Sequence, residues 1–144
     1  MQARTVDYGI ALLRVSLGAM FLAHSVLLKV LTFGMEGTSA YFVGLGLPGW
    51  AAYLVVAAEI VGGGLLVLGV AVRVVALALS PILLGALFMA HLKNGWVFTA
   101  AGGGWEYPAY LFVLCVAQSL LGAGAFALSP RLQRGPKLLR EVLA

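Results

Sequence analysis

Apolar residues run along this chain in four long blocks, from about Tyr8 to Leu31, Pro48 to Val70, Val74 to Leu92 and Tyr107 to Leu128. A helix needs about 20 predominantly apolar residues to cross the hydrocarbon of a bilayer, and each block supplies that length. The pattern predicts an all-α membrane protein, a bundle of four transmembrane helices in one domain spanning residues 1–144. Only a tight turn, Ala71 to Arg73, separates the second and third blocks. The other connections, TFGMEGTSAYFVGLGL and KNGWVFTAAGGGWE, are longer. A polar tail, SPRLQRGPKLLREVLA, closes the chain, and its last nine residues suit a short surface helix.

Composition sharpens the class. The chain is 62% hydrophobic and 10% charged, where a soluble domain has about 25% charged residues. The net charge of +4 comes from few, scattered cations; they suit lipid headgroups and exclude a nucleic-acid partner. The single cysteine, Cys115, lies inside an apolar run. It can form no intrachain disulfide and belongs to no CxxC pair, so it reads as a small buried hydrophobe. The first apolar block is long for a secretory signal, and no convincing small-x-small cleavage site follows it, so it reads as a retained helix.

Cations near the span ends set the orientation. With four spans, Arg4, Arg73, Arg131, Arg134, Lys137 and Arg140 share one side, against Lys29 and Lys93 on the other. Both termini are therefore expected in the cytoplasm. Tyr41, Trp50, Tyr53, Trp96, Trp105 and Tyr107 gather at the opposite boundary, as interfacial aromatics do. Gly62, Gly63 and Gly64, with Ala58, give the second helix a small-residue patch; Gly18, Gly85 and Gly122 offer others. Such positions let helix backbones approach where lipid supplies no hydrophobic drive between them.

At 100° per residue the polar residues fall on stripes. Arg14, Gly18, Phe21, Ser25 and Lys29 share a face of the first helix, with His24 to its side. Ala52, Glu59, Gly62 and Gly63 share one on the second. Arg73, Ser80, Leu84 and His91 align on the third, and Tyr107, Leu111, Gln118, Gly122 and Ala125 on the fourth. Turning these stripes inward explains them without chemistry.

Glu59 is the exception that asks for more, because a carboxylate near mid-bilayer costs about 2.5–3.5 kcal/mol on insertion scales and marks a functional candidate. At a rise of about 1.5 Å per residue from the outer ends, Glu59 and Gln118 lie about 16 Å deep, His24 about 10 Å, Lys29 and His91 about 3 Å, and Arg14 about 25 Å. This arithmetic sets Glu59 between His24 and Arg14, level with Gln118. It gathers Lys29, His91, Lys93, Glu106 and Tyr107 as a wetter outer group. The differing depths of His24 and His91 disfavour a bis-histidine heme, and no metal site is expected. In GGGWEYP, Glu106 and Pro108 suit the first turn of the fourth helix, while the glycines would let the loop fold over the bundle mouth.

The stretches RVSLGAMFLAHSVLLK, AAEIVGGGLLVLG followed by Arg73, and GGGWEYP before a last helix together resemble the DoxX family of small four-helix membrane proteins. The resemblance runs from about Arg14 to Pro130. It places the family's features on Arg14, Gly18, His24, Lys29, Glu59, Gly62, Gly63, Gly104, Glu106 and Tyr107. Ser25 departs from it, since the family often has Gly after the His. The resemblance implies a bacterial inner (cytoplasmic) membrane location. It also implies quinone-linked redox chemistry, through kinship with the membrane subunit of thiosulfate:quinone oxidoreductase. No electron carrier is encoded in the chain itself, so such a role would need a bound quinone or a partner oxidoreductase subunit.

The leading expectation is a subunit that binds a quinone or similar amphipathic ligand. Glu59 and His24 would exchange protons, with Arg14, Lys29, His91, Glu106, Tyr107 and Gln118 as ligand-binding candidates. The alternatives are a small proton-coupled transporter built on one protonatable carboxylate, or a structural or assembly subunit. Besides the lipid bilayer, a homo-oligomer is a further possible association.

Overall fold

A computed structural model describes residues 2–129. Arg131, Arg134, Lys137, Arg140 and the tail helix expected from the sequence lie outside the described residues. The described chain forms five helices: α1 (Gln2–Leu22), α2 (Gly34–Gly44), α3 (Trp50–Leu68), α4 (Val72–Gly85) and α5 (Glu106–Leu121). Two of them change pitch. α1 runs on as wide π-type turns from Ala23 to Thr32, and α4 does so from Ala86 to His91 before a last tight turn at Leu92–Asn94.

Three continuous helices, Arg4–Thr32, Trp50–Leu68 and Val72–Asn94, are long and apolar enough to cross a membrane. α5 is apolar but shorter, 16 residues. It stops seven residues before the expected Leu128, because Gly122 takes φ +89° and turns the chain away. Gln118 Nε2 closes that end by donating to Gly122 O, 2.5 Å away, and Arg73 Nη1 donates to the carbonyls of Ser119 and Leu120. These three bonds answer carbonyls left unpaired at the helix C-terminus.

The described stretch after Gly122 packs back over the N-terminal end of the bundle. Ala125 N donates to Asp7 O, Leu128 N to Leu68 O and Ser129 N to Gly69 O. The Ser129 hydroxyl also donates to Gly69 O and accepts from Ala71 N. The start of α1, the α3–α4 turn and residues 122–129 therefore sit at one end of the molecule.

Leu17, Phe21, Leu66, Val72, Ala76, Leu79, Leu83, Leu111 and Cys115 form the core. Large apolar side chains such as Leu12, Leu54, Val74 and Leu120 face outward, as expected where the surroundings are lipid. The glycines of α3 divide their work. A Cβ on Gly63 would meet Gly18 O of α1 at 2.9 Å, and one on Gly62 would meet the Leu79 side chain of α4, whereas Gly64 has open space. α1 and α3 thus touch backbone to backbone at Gly18 and Gly63, and that contact fixes their register.

Pro81 inside α4 lacks the N–H that would bond the Leu77 carbonyl. The Ser80 hydroxyl donates to that carbonyl instead, at 2.8 Å.

The segment expected as a plain connection between the first two spans contains α2. Helices this short gain most of their stability from packing, and α2 lies against α3 and the π turns of α1. It is further held by Thr38 Oγ1 donating to Lys29 O at 2.8 Å and Ser39 Oγ donating to Gly49 O at 3.1 Å.

Candidate functional site

From the Gly18–Gly63 contact, Ser25 lies seven residues along α1 and Glu59 four residues back along α3, rises of about 10 Å and 6 Å toward the same end of the bundle. Helical side chains lean toward their own N-terminus. On antiparallel neighbours they therefore lean toward one another, which closes the remaining gap. Glu59, 4% exposed, accepts from Ser25 Oγ at 2.6 Å and from Lys29 Nζ at 2.5 Å, both on Oε2. Lys29 is the carboxylate's ion-pair partner. The expectation of Lys29 as a rim residue ignored the lean of its long side chain, which reaches a full turn deeper. Ser25, noted for its place on the α1 stripe and as a departure from the family pattern, contributes the second donor.

Above this pair lies a cavity of about 860 Å³, lined by the π segment of α1, by α2, α3, the end of α4 and the start of α5. Most of its wall is apolar, including Phe21, Leu28, Phe42, Ile82, Met89 and Leu111. Glu59, Lys29, His24, His91 and Tyr107 share that wall. The His24 and Tyr107 rings stack with centroids 5.8 Å apart, and the Tyr107 hydroxyl donates to Met20 Sδ. His91 Nδ1 is 3.0 Å from Gly103 O. His24 and His91, set apart by the depth arithmetic, face one space. Among the described residues no group of three His, Cys, Asp or Glu is placed to hold a metal ion.

The remaining candidates lie elsewhere. Arg14 is 1% exposed and donates through Nη2 to Ala125 O at 3.1 Å. Its guanidinium abuts Gly69, where any Cβ would collide with Nη1. Gly69 is ten residues past Glu59 on the same helix path, about 15 Å along the axis, so Arg14 does not share the Glu59 charge. It sits instead where α3 and α5 end, and their negative dipole ends favour a cation there. Gln118 is fully buried beneath the cavity and held by Gly122. Glu106 Oε1 accepts from Phe98 N at 2.7 Å and lines a smaller, separate pocket of about 370 Å³ with Trp96, Phe98, Tyr107 and Tyr110. Glu106 thus pins the loop before α5, and Tyr107 alone borders both spaces.

Wide π turns concentrate at functional positions, and here both π segments border the cavity. That feature and α2, which supplies Thr38, Tyr41 and Phe42 to the wall, were not foreseen from the sequence. Their signal is tertiary: neither a spacing nor a composition marks them.

A DoxX profile matches residues 9–92, which carry the α1 stripe, Glu59 and the π segment of α4. The chain belongs to the DoxX family. A protein of Bacillus subtilis (strain 168) named "Putative oxidoreductase CatD" is 34% identical to this DoxX protein over 134 residues, 93% of this chain and 94% of the relative. No solved structure matches it. The profile ends at Leu92, so Glu106, Tyr107 and Gln118 of this DoxX chain lie beyond it.

Proposed function

We propose that this DoxX protein is a quinone- or amphipathic-ligand-binding subunit of a membrane oxidoreductase system. The observation that carries the reading is the cavity. Ligand sites are typically clefts of about 300–1,000 Å³, mainly apolar, with a few convergent polar groups. The 860 Å³ space, mainly apolar with Glu59, Lys29, His24, His91, Tyr107, Thr38 and Tyr41 among its lining, answers that description. The relative's name is consistent with redox work.

In this reading the apolar wall holds the ring and the start of a tail. Glu59 and His24 hold and pass the protons that accompany reduction or oxidation of the head group. Lys29 and Tyr107 orient it, and electrons come from a partner subunit. The chain crosses a bacterial inner membrane four times, α5 completing the bundle, with both termini in the cytoplasm.

The test is lipid extraction and mass spectrometry of protein purified gently from its membrane, followed by a binding titration with a short-tailed benzoquinone. Bound quinone, lost or weakened at least tenfold in Glu59→Gln, is the expected result. Absence of quinone from the extract together with no binding in titration sinks the reading.

A second reading has its own observation. The Lys29–Glu59 pair, completed by Ser25, is also what a purely structural register lock would look like. A stable and fully functional Glu59→Leu variant would favour it.

A further inference from the structure

The hydrogen bonds at the cavity wall have a polarity of their own. Both bonds to Glu59 fall on Oε2, so Oε1 remains the oxygen available to an occupant. A carbonyl only accepts, so the His91 Nδ1 contact with Gly103 O needs the proton on Nδ1, and a ring that carries one proton then keeps a lone pair on Nε2. The Tyr107 hydroxyl spends its hydrogen on Met20 Sδ and Thr38 spends its own on Lys29 O, so both offer oxygen lone pairs inward. Against these acceptors stands the charged donor of the wall, the part of the Lys29 ammonium not used by Glu59, with the His24 imidazole beside it.

We infer that the cavity selects a ligand whose polar end carries hydroxyl hydrogens: the reduced, hydroquinone form of an aromatic head group over its quinone form. This deepens the ligand-binding reading above and rests on it. A phenolic hydroxyl accepts from Lys29 and donates to Glu59 Oε1 with the same oxygen, and a second hydroxyl on the ring donates to His91 Nε2. A quinone carbonyl satisfies Lys29 alone and brings its lone pairs against those of Glu59 and His91. Sites built to bond a hydroxyl reject analogues that lack it, because their own buried polar groups are then left unpaired. The apolar wall serves both forms equally, so the discrimination comes from the polar cluster.

The experiment is anaerobic calorimetry on the full chain in detergent with three probes sharing one skeleton: a short-tailed benzoquinone, its hydroquinone, and the hydroquinone dimethyl ether. The hydroquinone should bind at least about tenfold more tightly than the quinone, and the ether, in which a methyl replaces each hydroxyl hydrogen, should fall to the quinone's level or below. In His91→Asn the amide nitrogen stands where Nδ1 stood and keeps the bond to Gly103, while the Nε2 acceptor is gone. There the preference should shrink severalfold. Quinone binding equal to or tighter than hydroquinone binding overturns the inference and leaves the ligand-binding reading intact. An ether that binds as well as the hydroquinone, or an unchanged preference in His91→Asn, also overturns it. If none of the probes binds, the ligand-binding reading falls, and this inference with it.

Discussion

One carboxylate organises the interior of this protein, and its company differs from what depth alone suggests. Counting residues from the span ends is blind to the direction in which side chains lean, so it paired Glu59 with His24 and Arg14 and left Lys29 at the rim. The helical stripe did better: Ser25 and Lys29 share a face with Gly18, and that face meets α3. Removing Lys29 strands a buried charge, and breaking a buried pair from one side typically costs about 3–5 kcal/mol. Lys29→Met should therefore unfold in detergent at markedly lower temperature. Adding Glu59→Gln in the same chain should recover most of the loss, as a double-mutant cycle of thermal unfolding would record. Ser25→Ala removes a hydrogen bond to a charged group, worth about 1.5–3 kcal/mol. It should shift the midpoint in the same direction by less, and an unchanged midpoint would count against the Ser25–Glu59 bond.

At the scale of helices, hydropathy located three spans to within a few residues and overran the last helix, α5. Its failure at α5 has a plain cause, since LGAGAF is apolar enough to continue a span but bends at Gly122, Gly124 and Phe126, all with positive φ. α2 escaped notice because its helicity depends on docking, which no local pattern records. The triple glycine of α3 read as one patch, yet its members have separate duties. Gly18→Ala would drive a Cβ into Gly63 O at 2.7 Å and Val67 at 2.8 Å, forcing α1 off α3 and pulling Ser25 and Lys29 away from Glu59. That substitution should destabilise strongly and weaken ligand binding together. Gly64→Ala meets nothing within 4 Å. Replacing a helix-interior glycine there should be neutral or stabilise by about 0.5–1 kcal/mol, and thermal unfolding of the two variants side by side is the check.

The whole molecule is asymmetric along its long axis. One end is packed shut: Arg14 reaches Ala125, residues 122–129 bond to Asp7 and the α3–α4 turn, and Gly124 fits where a Cβ would strike Asp7 O. The other end is hollow, with the two π segments and α2 around the cavity. Membrane class and family were legible in composition and motif order, whereas this division into a sealed end and a hollow end emerges only from contacts between distant segments. Arg14→Gln should loosen the seal and spare the pocket. Hydrogen exchange at the Ala125 and Leu128 amides should accelerate, while Glu59-dependent ligand affinity stays near its original value. Equal loss at both ends would mean that Arg14 does more than hold the seal.

Cys115, the single cysteine of the sequence, is wholly enclosed in the core. A thiol shut in this way is out of reach of maleimide and methanethiosulfonate reagents while the bundle stays folded. The native chain is thereby a ready background for site-directed labelling, with no cysteine to remove first. A cysteine introduced at Tyr41, half exposed on α2, would carry a spin label beside the cavity, and its spectrum would follow that helix as ligands come and go.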